Sequence, residues 1–295
     1  QGRMESVAAE AERLHFTNDD IDKIREVLAL PTEKFVEMQL KKAVELNDPV
    51  RVINRELKLR CLYLEKNAPL FAPEHCSKLR TPNDFACAKL QAKLSRSVRQ
   101  ELALGMLKHT SKPIHTSLTE LHPLFAKEAT SAFKCILAYA GERPAPFPQA
   151  MALQVLQAAS DSPEIIPEIY LQIIKQLQAN NGRAGTRPYW DMLALCLMSF
   201  APGAGIDDIV HVFCLREAGQ DAGQLISLLH TVMYDGGQPL PAAEEILLRL
   251  TAFRGERTRS RYSFVEEAGS VTVPSARPLQ LSPAAPAPTA DGRAP

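Results

Sequence analysis

The chain has 295 residues, 45% of them hydrophobic, which is enough to bury a core and argues against wholesale disorder. Lys plus Arg and Asp plus Glu both number 34, so formal charge is zero and no overall field draws nucleic acid or a membrane surface. No apolar run reaches transmembrane length and the start lacks a signal-type apolar segment. The six cysteines (Cys61, Cys76, Cys87, Cys135, Cys196, Cys214) form no C-x-x-C pair, which reads as reduced thiols in an intracellular protein, with no disulfide frame, metal site or cofactor.

Reading Met4 as the natural start sets Gln1 to Arg3 aside, and residues 1–16 read as a flexible N-terminus. Thr17 suits an N-cap, with Asp19 and Asp20 in the first turn and Ile21, Ile24, Val27 and Leu28 at helical spacing up to Pro31. Thr32 is read as the cap of a second helix carrying Val36, Leu40 and Val44. Asp48-Pro49 opens a third, with Val50, Ile53, Leu57, Cys61 and Leu64 on one face. A Pro-containing loop spans Asn67 to Leu79. Thr81-Pro82 then begins a fourth helix predicted from Asn83 to about Lys108.

Further helices are predicted over Pro123–Ala140, Pro148–Ala159, Pro163–Asn180, Pro188–Phe200, Ile206–Glu217, Ala222–Tyr234 and Pro241–Phe253, each set off by Pro, Gly or Asn. Trp190 to Met198 is apolar nearly all round, so this helix is expected to be the most buried. Strand signals are confined to Tyr262–Val265 and Val271–Val273. The Ala/Pro-rich stretch beyond about Glu267 cannot offset its conformational entropy and reads as disordered or extended. No fixed-period repeat is present. The expected fold is all-α: a helical annex over 17–100, an irregular helical bundle over 101–255, and an Arg-containing linker and tail over 256–295.

Several segments of this bundle, taken in order, resemble a myosin tail homology 4 domain, the module found in tails of unconventional myosins and some plant kinesins. GMLKHTSKPIHTSL at 105–118 looks like its entry, with Pro113, Ile114, Ser117 and Leu118 at the family positions. Phe133, Ile136, Tyr139 and Gly141 match the F-x-x-I-x-x-Y-x-G stretch that follows. PEIYLQIIKQLQANN is the most specific piece: Glu168, Ile169, Tyr170, Gln172, Lys175, Gln176, Asn180 and Asn181 stand where the family has an acid, an aliphatic, an aromatic, then Q-x-x-K-Q and Asn. Trp190, Phe200-Ala201-Pro202 and the Pro241-to-Ile246 pattern also fit. Two features depart from the family. Its usual Arg-Asp before the acid-aliphatic-aromatic triplet is Ile166-Pro167 here, which removes a charge and starts the helix differently. The stretch after Phe253 is too short for the FERM domain that normally follows. No G-x-x-x-x-G-K-[ST] is present to cradle nucleotide phosphates.

Two clusters of basic residues are candidates for partner binding. On the predicted fourth helix Lys89, Lys93 and Arg96 fall within a narrow arc, opposite Leu90, Leu94, Val98 and Leu102. Arg99, Lys108, His109 and Lys112 extend the positive character. The second cluster is Arg249, Arg254, Arg257, Arg259 and Arg261, opposed mainly by Glu256. Either cluster suits an acidic surface, and the family resemblance implies the acidic surface of tubulin; either also reads as a solvated helix face. Glu168, Gln172 and Gln176 lie at i, i+4 and i+8 and read as buried polar groups that hydrogen-bond loops rather than as a general base. His75-Cys76, His211, Cys214 and His230 lack tight ligand pairs and read as ordinary structural residues. No nucleophile motif of the G-x-S-x-G kind occurs.

The reading that follows is a non-catalytic cytoplasmic adaptor of the cytoskeleton, within a larger assembly. It would bind microtubules or their associated complexes, an axoneme being one natural setting, with no nucleic acid and no membrane insertion. One alternative is a motor-tail fragment that binds cargo. Another is an enzyme or regulator on a helical scaffold, which metal content and nucleotide binding would reveal.

Overall fold

The computed structural model describes residues 26–27, 29–88, 95–178, 185–203 and 205–255. Of the helix predicted from Thr17, the described residues include only the helical pair Glu26–Val27 and the turn at Ala29 and Leu30; the two possible strands and the tail lie outside them. The described residues fall in one unit, Glu26–Val265. They are helical throughout, and their only bridge of β type is an isolated one between Leu79 and Thr119. No helix among them is long and apolar enough to cross a membrane.

The first two helices pack together as a hairpin. α1 (Thr32–Glu45) begins directly after Pro31, so Thr32 is its first helical residue and not its cap. α2 (Pro49–Lys66) starts as the sequence indicates, with Asp48 accepting a hydrogen bond from the Arg51 N–H at 3.1 Å and Pro at the first turn. α3 (Pro82–Cys87) uses the Thr81 hydroxyl in the same way, 3.1 Å from the Asp84 N–H. The single helix expected from Asn83 to about Lys108 is not what forms. Ser95 is extended, with φ −61° and ψ 154°, and its hydroxyl caps a new helix, α4 (Arg96–Leu104), through the Val98 N–H. Periodicity continues across this position, but a serine in extended conformation offers its hydroxyl to the backbone and marks the start of a new helix.

The remaining helices build the core: α5 (Pro123–Tyr139), α6 (Pro148–Asp161), α7 (Ile166–Leu177), α8 (Arg187–Ser199), α9 (Asp207–Glu217), α10 (Ala222–Tyr234) and α11 (Glu245–Gly255). α5 ends at Tyr139, two residues before Gly141. There φ of +79° turns the chain so that the Glu142 N–H bonds the Leu137 carbonyl at 2.9 Å, a left-handed step that glycine makes without strain. α8 packs against α5, α6, α7, α10 and α11 and is the hub of the bundle. It is nevertheless not the most buried helix. α7 buries ten of its twelve residues, against eight of thirteen for α8, where Trp190 stays partly exposed and stacks on Phe213. Glu168, Gln172 and Gln176, read from their spacing as buried, are inside, and Lys175 with them.

Candidate functional site

Those four side chains form a polar spine that holds the segment between α4 and α5. Both Glu168 carboxylate oxygens are used. Oε1 accepts from the Leu118 N–H at 2.7 Å and Gln172 Nε2 at 2.9 Å; Oε2 accepts from the Thr119 N–H at 2.7 Å and the Thr119 hydroxyl at 2.6 Å. Burial still pushes the carboxyl pKa upward, against the pull of these donors. Gln172 also donates to the Ala129 carbonyl at 3.0 Å. One turn on, Gln176 takes both backbone groups of Thr110, at 3.1 and 2.9 Å, and donates to the Tyr189 hydroxyl, which in turn donates to Glu142 at 2.9 Å. Glu142 also bonds His109 at 2.6 Å. Lys175 donates to the carbonyls of Gly105, at 3.1 Å, and Lys108. With few other groups to solvate its ammonium, burial pulls its pKa down to about 8. Pro113 remains exposed, while Ile114, Ser117 and Leu118 are buried where the loop meets the core. Tyr170 spans the other side, its hydroxyl 2.7 Å from the Phe200 carbonyl.

The basic residues singled out by sequence fall only in part among the described residues. Lys89, Lys93, Arg257, Arg259 and Arg261 lie outside the described residues. Arg96 and Arg99 are exposed on α4 and Lys108 and Lys112 are exposed in the loop beyond it. α4 buries none of its residues, and Val98, expected on a packed apolar side, is 39% exposed. α4 begins only after Ser95, whose extended backbone ends any continuous helix running into it. Arg254 does not present a free charge. It pairs with Asp191 of α8, a buried carboxylate that also receives Arg187 at 3.0 Å, while Arg187 reaches on to Asp221 at 2.7 Å. Arg249 has only a long approach to Glu245, 4.0 Å. A shallow groove of about 520 Å³ opens between α3 and the start of α5, with Arg80, Asp84, Thr116, Leu121 and Lys127 on its walls.

A second polar cluster joins α2 to the core, and nothing in the sequence announces it. Arg60 forms a fork with two carboxylates at the start of α9, 2.7 Å from Asp207 and 2.6 Å from Asp208. Burial works against the guanidinium charge, but the two acids outweigh it and raise its pKa. Leu64 and Ala68 pack on Val212 beside it. Next to this fork Cys61 of α2, His211 of α9 and His230 of α10 each bring one potential donor atom within 4.8 Å of the others. The two imidazole rings lie 5.3 Å apart. Burial lowers His211 to about 4 and His230 to about 3, with the positive Arg60 adding to the effect, so both rings are neutral. It raises the Cys61 thiol to about 11. By sequence spacing alone these histidines read as plain helix-face residues. Their convergence depends on three separate helices, so no local motif records it.

Residues 152–246 match the family model described as the MyTH4 domain. Over 245 residues, 83% of the chain, the sequence is 36% identical to the high molecular weight form of myosin-1 from Acanthamoeba castellanii; the match spans 15% of the length of that protein. Among solved structures the chain is similar to the Dictyostelium discoideum myosin VII MyTH4-FERM MF1 domain, with a TM-score of 0.48, 16% identity and coverage of 63% of this chain and 38% of that one. It is also similar to the human myosin 7b C-terminal MyTH4-FERM domain, solved in complex with the harmonin-a PDZ3 domain. There the TM-score is 0.44, with 24% identity and coverage of 50% and 32%.

Proposed function

We propose that this chain, which carries a MyTH4 domain, works as a non-catalytic protein-binding module of a cytoskeletal adaptor. Its target would be an acidic surface, that of microtubules or of complexes bound to them. The observation that carries the binding-module reading is the 36% identity to a myosin over most of the chain. MyTH4 domains of myosin tails are non-catalytic binding modules. Within the fold, the polar side chains that resemble catalytic groups, Glu168 above all, are consumed in holding a loop and face no cleft.

The finer choice of target rests on Arg96, Arg99, Lys108 and Lys112. They are exposed, close in sequence, and spread over an α-helix that buries none of its residues and the loop that follows it. Exposed charges act within about 8–10 Å at ordinary salt, so such a contact is short-range and salt-sensitive. Co-sedimentation with microtubules at two salt concentrations tests it. The parent should pellet at low salt and less at high salt. A folded variant carrying Arg96→Glu, Arg99→Glu, Lys108→Glu and Lys112→Glu should stay in the supernatant. A parent that stays in the supernatant at low salt removes the microtubule target.

A second reading is favoured by the share of the relative that is matched. The alignment spans 15% of a much longer myosin, which agrees with a tail segment that grips a protein cargo. The same assay separates the two, because the cargo reading requires no pelleting with microtubules.

A further inference from the structure

We propose that Cys61, His211 and His230 form a binding site for a single zinc-class divalent cation, placed so that it clamps α2 onto α9 and α10. The site is distinct from the partner-binding surface discussed above and does not depend on it. Three donor atoms from three helices lie within 4.8 Å of one another. Around a tetrahedral zinc ion, with metal–sulfur bonds of about 2.3 Å and metal–nitrogen bonds of about 2.0–2.1 Å, donors stand roughly 3.3–3.6 Å apart. The cluster therefore needs to close by at most about 1.2–1.5 Å around an ion of that kind. Rotation of side chains about their own bonds accomplishes a movement of that size without a shift of backbone.

The chemistry of the donors selects the ion. One sulfur and two imidazole nitrogens are the set that zinc accepts and that magnesium and calcium, which favour oxygen, do not. The rings are held as neutral imidazoles by burial, the form that offers a lone pair. Binding takes the proton from sulfur: the S–H bond breaks, a metal–sulfur bond forms, and the proton leaves to solvent. No oxidant or reductant is involved. An M²⁺ ion with one thiolate and two neutral rings carries one net positive charge. The fork alongside supplies the balance, since Asp207 and Asp208 carry two negative charges against the single positive charge of Arg60. Cys61 is only partly buried, which gives the ion and the departing proton a route. Three protein donors leave a fourth position for water.

The test uses the full chain, reduced and freed of metal with a chelator, then titrated with Co²⁺ and followed by visible and near-ultraviolet absorption. The expected result is one equivalent bound, with a thiolate-to-cobalt charge-transfer band that Zn²⁺ displaces and a melting temperature that rises on addition of Zn²⁺. Cys61→Ser should abolish the band while keeping the parent's helical circular dichroism. Cys135→Ser, remote from the site, should retain the band. His230→Asn should keep the thiolate and weaken cobalt binding at least tenfold. His211→Asn serves the same purpose if His230→Asn does not fold. The proposal is overturned if the parent shows no charge-transfer band, if Cys61→Ser retains the parent's band, or if neither histidine variant alters the affinity.

Discussion

Replacing Glu168 by Ala should be among the most damaging single changes in this chain, and its size follows from the hydrogen bonds it leaves open. The side chain is fully buried and accepts from the N–H groups of Leu118 and Thr119, from the Thr119 hydroxyl and from Gln172. Gln172 keeps its bond to the Ala129 carbonyl, and the Thr119 hydroxyl can rotate to another acceptor, so two backbone donors are the irreducible loss. Each buried donor left unsatisfied costs about 1–3 kcal/mol, and a cavity adds to this, so Glu168→Ala should cost about 3–5 kcal/mol. Glu168→Gln is the informative companion. One amide oxygen continues to accept, but its NH₂ faces a donor where Oε2 accepted two bonds, so a loss of about 1–3 kcal/mol is expected. Urea unfolding followed by circular dichroism measures both. Limited proteolysis should show new cleavage between residues 105 and 119 in the Ala variant. If both variants unfold within about 0.5 kcal/mol of the parent, the spine does not hold the loop and the reasoning is wrong.

Gly237→Ala should destabilise by about 1–3 kcal/mol, because an added Cβ would lie 1.8 Å from the Ser199 carbonyl oxygen, a fixed backbone atom; an unchanged melting temperature would contradict this close approach. Leu193→Ala, in the middle of hub helix α8 where the side chain is fully buried, should cost on the order of 2–5 kcal/mol, and a denaturation midpoint equal to the parent's would refute it. Lys175 gives a pH signature. Its folded pKa is lowered from 10.5 to about 8, so below pH 8 both states hold the proton and stability from this group is flat. Above pH 8 the folded state releases the proton first. The unfolded chain then binds more protons, and stability rises with pH by up to about 1.4 kcal/mol per unit until the unfolded lysine also titrates. Compared with Lys175→Met across pH 7 to 10, the parent should gain unfolding free energy; parallel curves would show that the Gly105 and Lys108 carbonyls keep the ammonium charged.

Helix starts were the most legible part of this sequence. Asp48-Pro49 and Thr81-Pro82 each state a cap and a first turn locally, and both appear in the fold with the hydrogen bonds those residues imply. The start at Ser95 was harder, because Leu90, Leu94, Val98 and Leu102 maintain a helical period across it in sequence and the local mark of a new helix is one serine. The role of α7 was legible in part: the i, i+4, i+8 spacing of Glu168, Gln172 and Gln176 reads as buried groups that hydrogen-bond loops, and they do so, but nothing local shows that this helix is more buried than α8. Arg254 presented the opposite problem. Read along the chain it belongs to a run of arginines, yet its partner Asp191 is far away in sequence and is known only once α11 lies on α8. The approach of Cys61, His211 and His230 is of the same kind, a product of packing among three helices that no spacing rule reaches.

The way α7 holds its loop has a consequence for how freely the loop can diverge. Glu168 grips the N–H groups of residues 118 and 119, Gln176 the N–H and carbonyl of residue 110, and Lys175 the carbonyls of residues 105 and 108. Apart from the Thr119 hydroxyl, these anchors address main-chain atoms that almost any amino acid supplies. The letters at the exposed positions of the loop are thus largely uncoupled from its shape, while the buried Met106, Ile114, Ser117 and Leu118 remain tied to the core. Positions such as Lys108, Ser111, Lys112 and Pro113, exposed on the outside of a fixed frame, can be rewritten while the path of the chain is conserved. A scaffold of this kind lends itself to grafting: new recognition sequences can be installed at the exposed positions between Gly105 and Thr119, with α7 and the buried loop residues left untouched as their template.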